Sequence, residues 1–174
     1  GGHHAEADPH AWQSVANAKI YVGNIRDALM TADPDGAATY RSNAEQYLAR
    51  LDALDREVRE AVAQIPPERR KVISSHEAFG YFAAAYGIAF VAPQGVSTES
   101  EPSARDLATI IRQIRKENIP AVFLENISDP RLVERIAAET GARIGGTLYS
   151  DSLTGEKGDA PTYIDMVRHN IRAV

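Results

Sequence analysis

Val72-Ile73-Ser74-Ser75-His76-Glu77-Ala78-Phe79-Gly80-Tyr81-Phe82-Ala83-Ala84-Ala85-Tyr86-Gly87-Ile88-Ala89-Phe90-Val91 decides the fold. Val72 to Ser74 is a short apolar run of strand type, and Ile88 to Val91 is another. Between them Ala78 to Tyr86 has helical composition and stops at Gly87, a residue suited to the left-handed position after a helix. The alternation continues outward. Ser103 to Glu117 predicts a helix with Leu107, Ile110, Ile111 and Ile114 inward. Ala121 to Leu124 predicts a third strand. Asp129-Pro130 opens a helix that runs to Thr140 and is capped by Gly141. Arg143 to Leu148 predicts a fourth strand, and Thr162 to Arg172 a closing helix.

Upstream the texture differs. Pro9 suits the first turn of a helix, where its missing N–H costs nothing. Ala11 to Met30 predicts a long helix, with Trp12, Val15, Ala16, Ile20, Val22, Ile25 and Leu29 on a broad apolar face. Asp33-Pro34-Asp35-Gly36 breaks it. A second long helix follows from about Ala37 to Gln64, with Tyr40, Ala44, Tyr47, Leu48, Leu51, Leu54, Val58 and Val62 at helical spacing, and Pro66-Pro67 ends it. Strands alternating with helices through short connections imply a parallel sheet covered on both faces. The expectation is an α/β fold: a three-layer α/β/α lobe with a roughly four-stranded parallel sheet, preceded by two long helices.

Bulk properties narrow the function. A chain of 174 residues that is 44% hydrophobic can bury a core of its own. Its formal net charge is -5 and no basic patch stands out, which argues against nucleic acid as a partner. With no cysteine, disulfides, thiolate nucleophiles and thiolate metal sites are excluded. No apolar run reaches the about 18 residues of a spanning helix. Gly1 to Asp8 is small and polar with no secretory leader, so an exported form would have its native start elsewhere.

In such sheets ligands sit beyond the carboxyl ends of the strands, so the residues just after strands carry the chemistry. His76 follows the first strand and Asp151 follows the fourth, while His10 stands at the entry of the first long helix. Imidazole with carboxylate suits zinc and is tolerated by manganese. Each residue also has a plainer reading: a cap or surface group for His76, a turn cap for Asp151, a loop residue beside proline for His10. His3 and His4 read either as a loose metal-collecting head or as a remnant of a tag. His76 beside Glu77 could be a general acid–base pair, but adjacent residues rarely face one another, and neither a G-x-S-x-G elbow nor a phosphate-cradling glycine loop is present.

Asp8-Pro9-His10-Ala11-Trp12, followed at once by a long helix, resembles a signature of the metal-specific solute-binding proteins of ABC importers. Ser75-His76-Glu77-Ala78-Phe79-Gly80-Tyr81-Phe82, Ser97-Thr98-Glu99-Ser100-Glu101-Pro102-Ser103, Phe123-Leu124-Glu125-Asn126, Tyr149-Ser150-Asp151-Ser152-Leu153 and the closing Tyr163 to Asn170 resemble later segments of that family, in order. The resemblance covers the chain from Asp8 onward. It implies two α/β lobes joined by one rigid helix, with metal between them. It implies His10, His76 and Asp151 as metal ligands, Zn2+ as the favoured ion with Mn2+ as the alternative, and no enzymatic activity. Histidine at the position of His76 leans toward zinc-type members, and glutamate there toward manganese-type ones. The implied division is 1–10 as a tail carrying the second ligand, 11–31 as the connecting helix, and 32–174 as the C-terminal metal-binding lobe. The family's first lobe and first ligand histidine have no counterpart here. The implied place is periplasmic or otherwise extracytoplasmic and membrane-anchored, and the implied partner is an ABC permease. Glu77, Glu99, Glu101 and Glu125 are candidates to support the ligands or to dock. A helix-exchanged homodimer is an expectation for a connecting helix that stands alone. The alternative functions are a surface adhesin of the same fold, or a hydrolase with His76 as base.

Overall fold

The computed structural model describes residues 7–95 and 101–174. His3, His4 and the stretch 97–100, including Glu99, lie outside the described residues. The fold begins with two long helices, α1 (Val15–Ala32) and α2 (Ala37–Ala63), which pack on each other. Then come β1 (Lys71–Ile73), α3 (Gly80–Tyr86), β2 (Ala89–Val91), α4 (Ala104–Glu117), β3 (Ala121–Glu125), α5 (Pro130–Thr140), β4 (Arg143–Leu148) and α6 (Tyr163–Ala173). The four strands form one parallel sheet in the order β2-β1-β3-β4.

Side chains alternate across the sheet with the period of two that a strand imposes. Val72, Phe123 and Leu148 enter one core with residues of α1, α2, α3 and α6. Ile73 and Val122 enter the other, against Ile110 and Ile114 of α4 and Val133 and Ile136 of α5. This is the expected α/β/α lobe. Register slips between β3 and β4, where Val122 faces Ile144 but Leu124 faces Thr147. Gly145 and Gly146 fill this bulge, as glycines in strand interiors often do. A β-carbon on Gly145 would stand 2.5 Å from the buried Phe123 ring, and Gly146 takes a φ of 134°.

Two local expectations change. The first helix does not run unbroken from Ala11: a 3-10 turn covers Ala11–Gln13, and Ser14 is extended before α1 starts. Trp12 and Gln13 are held in that turn by bonds to the distant Ser150 carbonyl. Helix α3 starts at Gly80 rather than Ala78, because the backbone N–H of Glu77 bonds to the carbonyls of Gln94 and Gly95, and that of Ala78 to His76. The apolar face of α1 is only partly covered. Val15 and Ala18 are buried, whereas Ile20 and Ile25 are each 59% exposed. One neighbouring helix covers less arc than that stripe presents.

The contrast gives a test. Leu51 of α2 is fully buried in the first core, so Leu51→Ala is expected to cost about 2–5 kcal/mol. Ile25→Ala on α1 is expected to stay within about 0.5 kcal/mol, as surface changes do. Urea unfolding of both variants measures the difference. Equal losses would mean that α1 is covered where the structure leaves it open.

Candidate metal centre

The carboxyl ends of β1, β3 and β4 lie at one edge of the sheet, and three segments converge there. His76 is the third residue after β1 and is completely buried. Asp151 is the third after β4, with its side chain 33% exposed. His10, only 1% exposed, comes from the far end of the chain on the turn before α1.

Each imidazole is braced from behind through Nδ1. Asp8 Oδ1 lies 2.7 Å from His10 Nδ1 and also accepts the backbone N–H of His10 at 3.0 Å. Glu125 Oε1, at the end of β3, lies 2.7 Å from His76 Nδ1. That approach is short but off the line of an aligned hydrogen bond. Glu125 Oε2 accepts the backbone N–H groups of Ser75 and His76 at 2.7 and 2.8 Å.

With their backs held, both rings present Nε2 to the same point. The two Nε2 atoms are 3.4 Å apart. Asp151 Oδ1 is 3.0 Å from His10 Nε2, and its Oδ2 is 3.6 Å from His76 Nε2. One ligand atom from each of the three residues lies within 4.8 Å of the other two. The rings meet edge to face with centroids 5.2 Å apart, and Trp12 packs on His10 at 5.4 Å.

Charge at the site is set by competition with burial. Burial works against protonating His76, but Glu125 and Asp151 outweigh it and raise its pKa above the ordinary histidine value. Burial likewise works against ionising Glu125. The His76 ring and backbone N–H overcome it and hold the carboxyl below the usual glutamate range.

The sequence singled out His10, His76 and Asp151, and the fold brings all three together. Of the three acidic candidates among the described residues, Glu77, Glu101 and Glu125, it is Glu125 that stands against a ligand candidate. Glu77 and Glu101 are exposed. The acid–base pairing of His76 with Glu77 does not form, because His76 faces Glu125 instead. Asp8 was quoted only as part of the signature string, and its bracing of His10 was missed, although an aspartate two residues before a histidine is within reach of its backbone N–H and ring. Gln13 had no signal at all.

The loop that carries Asp151 is clamped from two sides. The Ser150 carbonyl accepts Trp12 Nε1 at 3.0 Å and Gln13 Nε2 at 2.9 Å. Tyr163 Oη of α6 donates to the Trp12 carbonyl at 2.6 Å. Asn170 of α6 both accepts from the Tyr149 N–H and donates to its carbonyl, at 2.9 and 2.8 Å. Gln13 is 1% exposed, so Gln13→Ala removes a buried hydrogen bond as well as packing and is expected to cost about 1–3 kcal/mol. Thermal or urea unfolding reads it, and an unchanged midpoint would mean that the clamp contributes nothing.

Comparison with known proteins adds an independent line. The family model described as "Zinc-uptake complex component A periplasmic", ZnuA, matches residues 1–174. The chain is 40% identical over 168 residues to the iron-binding protein YfeA of Yersinia pestis, covering 97% of this chain and 54% of that protein. It is 36% identical over 164 residues to the manganese-binding lipoprotein MntA of Halalkalibacterium halodurans, covering 94% and 55%. The solved structure of the periplasmic zinc binding protein TroA from Treponema pallidum superposes with a TM-score of 0.93 at 34% identity, over 99% of this chain and 64% of that one. The chain thus spans about half the length of the curated relatives it matches. Relatives from streptococci are named substrate-binding lipoproteins of metal ABC transporters. Matched along its whole length by the family model, the chain belongs to the ZnuA family of metal-binding periplasmic proteins.

Proposed function

We propose that this chain takes part in capturing a divalent transition metal outside the cytoplasm, for delivery to an ABC importer permease, and that His10, His76 and Asp151 are the ligands it contributes. The metal is cargo and is not transformed. One observation carries the reading. A tetrahedral ion with bonds of about 2.0–2.2 Å holds its ligand atoms about 3.3–3.6 Å apart. The two Nε2 atoms are separated by 3.4 Å, Asp151 Oδ1 lies 3.0 Å from that of His10 and Oδ2 3.6 Å from that of His76, and one donor atom from each residue lies within 4.8 Å of the other two. The three donors therefore need only small shifts to enclose an ion. Of the three, Asp151 alone has a partly exposed side chain, so a fourth ligand would approach from its side. That side suits water or a ligand from another element.

Zinc is the favoured cargo. Two imidazoles and one carboxylate form a softer set than the oxygen-rich shells that hold manganese well, and intrinsic affinity also rises from manganese to zinc. Manganese is the second reading, because relatives named for manganese and for iron match this chain as TroA does.

Calorimetric titration of the metal-stripped protein with zinc and with manganese tests the proposal. One zinc per chain is expected, bound more tightly than manganese. His76→Ala is expected to weaken zinc by more than the about 10–100-fold that loss of an outer partner costs. Zinc binding that survives His76→Ala unchanged would sink the assignment.

Acid should release the metal. A protonated imidazole cannot coordinate, so proton and metal compete for the same nitrogen. The His76 pKa is raised in the metal-free protein, so affinity is full above that raised value and falls as pH drops through it. The competition starts at a higher pH than for an ordinary histidine. Titrations repeated from neutral into mild acid should show falling affinity, and a flat profile would contradict the ligand set.

A further inference from the structure

Glu125, the last residue of β3, is only 4% exposed, and its two oxygens have separate tasks. Oε2 accepts the backbone N–H groups of Ser75 and His76, at 2.7 and 2.8 Å. Oε1 faces His76 Nδ1 at 2.7 Å. Neither of those two buried atoms makes an aligned hydrogen bond elsewhere among the described residues, and the other polar side chain acting on the Glu125 carboxylate is the Ser150 hydroxyl. An ionised carboxylate can only accept. The ring nitrogen pressed against it must therefore carry the proton, because two lone pairs at that distance repel. In a neutral imidazole the opposite nitrogen then holds the free lone pair. That nitrogen, Nε2, is the one turned toward His10 and Asp151.

We infer that Glu125 is a positioning residue that fixes the tautomer of His76, with the proton on Nδ1 and the donor lone pair on Nε2. It acts through His76 and does not itself reach the ion. The effect on affinity rests on the metal-binding reading above, while the tautomer is a property of the metal-free protein. The same carboxylate ties the His76 backbone and the His76 ring, so the loop conformation and the tautomer are set by one group.

Glu125→Gln separates these tasks at nearly constant volume. An amide has one acceptor and one donor end. The two backbone N–H groups hold the amide oxygen where Oε2 was, which turns the NH2 toward His76 Nδ1. Nδ1 must then accept, and neutral His76 must carry its proton on Nε2, the nitrogen the metal needs. Glu125→Asp keeps two acceptor oxygens and serves as the conservative variant.

The test is heteronuclear NMR of nitrogen-labelled, metal-free protein on the alkaline side, where the ring is neutral, joined to zinc calorimetry. The wild-type chain should show His76 protonated at Nδ1. Glu125→Gln should show it protonated at Nε2, with zinc affinity reduced about 10–100-fold and circular dichroism unchanged. Glu125→Asp should keep the Nδ1–H form and recover much of the affinity. A wild-type ring protonated at Nε2 overturns the inference without any variant, which matters if Glu125→Gln fails to fold. An Nδ1–H ring that persists in folded Glu125→Gln overturns it as well. A wild-type Nδ1–H ring in a protein that binds no zinc supports the tautomer inference and refutes the metal-binding reading.

Discussion

Parallel pairing of β1, β3 and β4 places the residues that follow each strand at one edge of the sheet, and the centre depends on that constraint. His76 and Asp151 are 75 residues apart in sequence but both emerge at this edge, as follows from their numbers. A loop alone would not hold them so close, since fixing each backbone residue costs about 1–2 kcal/mol of conformational entropy. The sheet supplies this order through its two cores. The third donor, His10, comes from outside the sheet. It is held by the turn that docks Trp12 and Gln13 on the Ser150 carbonyl, one residue before Asp151. The segment that brings His10 therefore also steadies the loop that brings Asp151.

Burial explains why the carboxylates behind the rings matter. A buried charge is costly unless it is paired and hydrogen-bonded. Glu125 meets that condition with two backbone N–H groups and the His76 ring, so it can remain ionised beneath the surface. Asp8 braces His10 in the same manner but is partly open to water. Both rings are thus held through Nδ1 and turned toward each other through Nε2. Asp151 stands beside both Nε2 atoms, 3.0 Å from that of His10 and 3.6 Å from that of His76, and its partly exposed side chain leaves one approach open.

Much of the fold was legible in the sequence because its signals are local. Val72-Ile73, Ala121 to Leu124 and Arg143 to Leu148 are short apolar runs between helical stretches, and the strands fall there within a residue or two. Gly87 and Gly141 do end α3 and α5 in the left-handed conformation. The errors lie where distant contacts decide local structure. Nothing near Ala11 announces that Trp12 and Gln13 will bond to residue 150 and interrupt the helix at Ser14. Helix α3 starts late because backbone groups after His76 pair with Gln94 and Gly95. The ligand candidates were open to plainer readings on residue type alone, and only the family resemblance singled them out. The pairing of Glu125 with His76 spans 49 residues and depends on strand order, so no motif could carry it.

A crystal structure of the zinc-loaded protein, with the ion located by anomalous scattering, would show directly whether His10, His76 and Asp151 hold the metal. One dominant peak is expected, about 2.0–2.1 Å from Nε2 of both His10 and His76 and about 2.0–2.2 Å from a carboxylate oxygen of Asp151. A zinc ion held at Nδ1 of either ring, or bound away from the edge where β1 and β4 end, would contradict this ligand set.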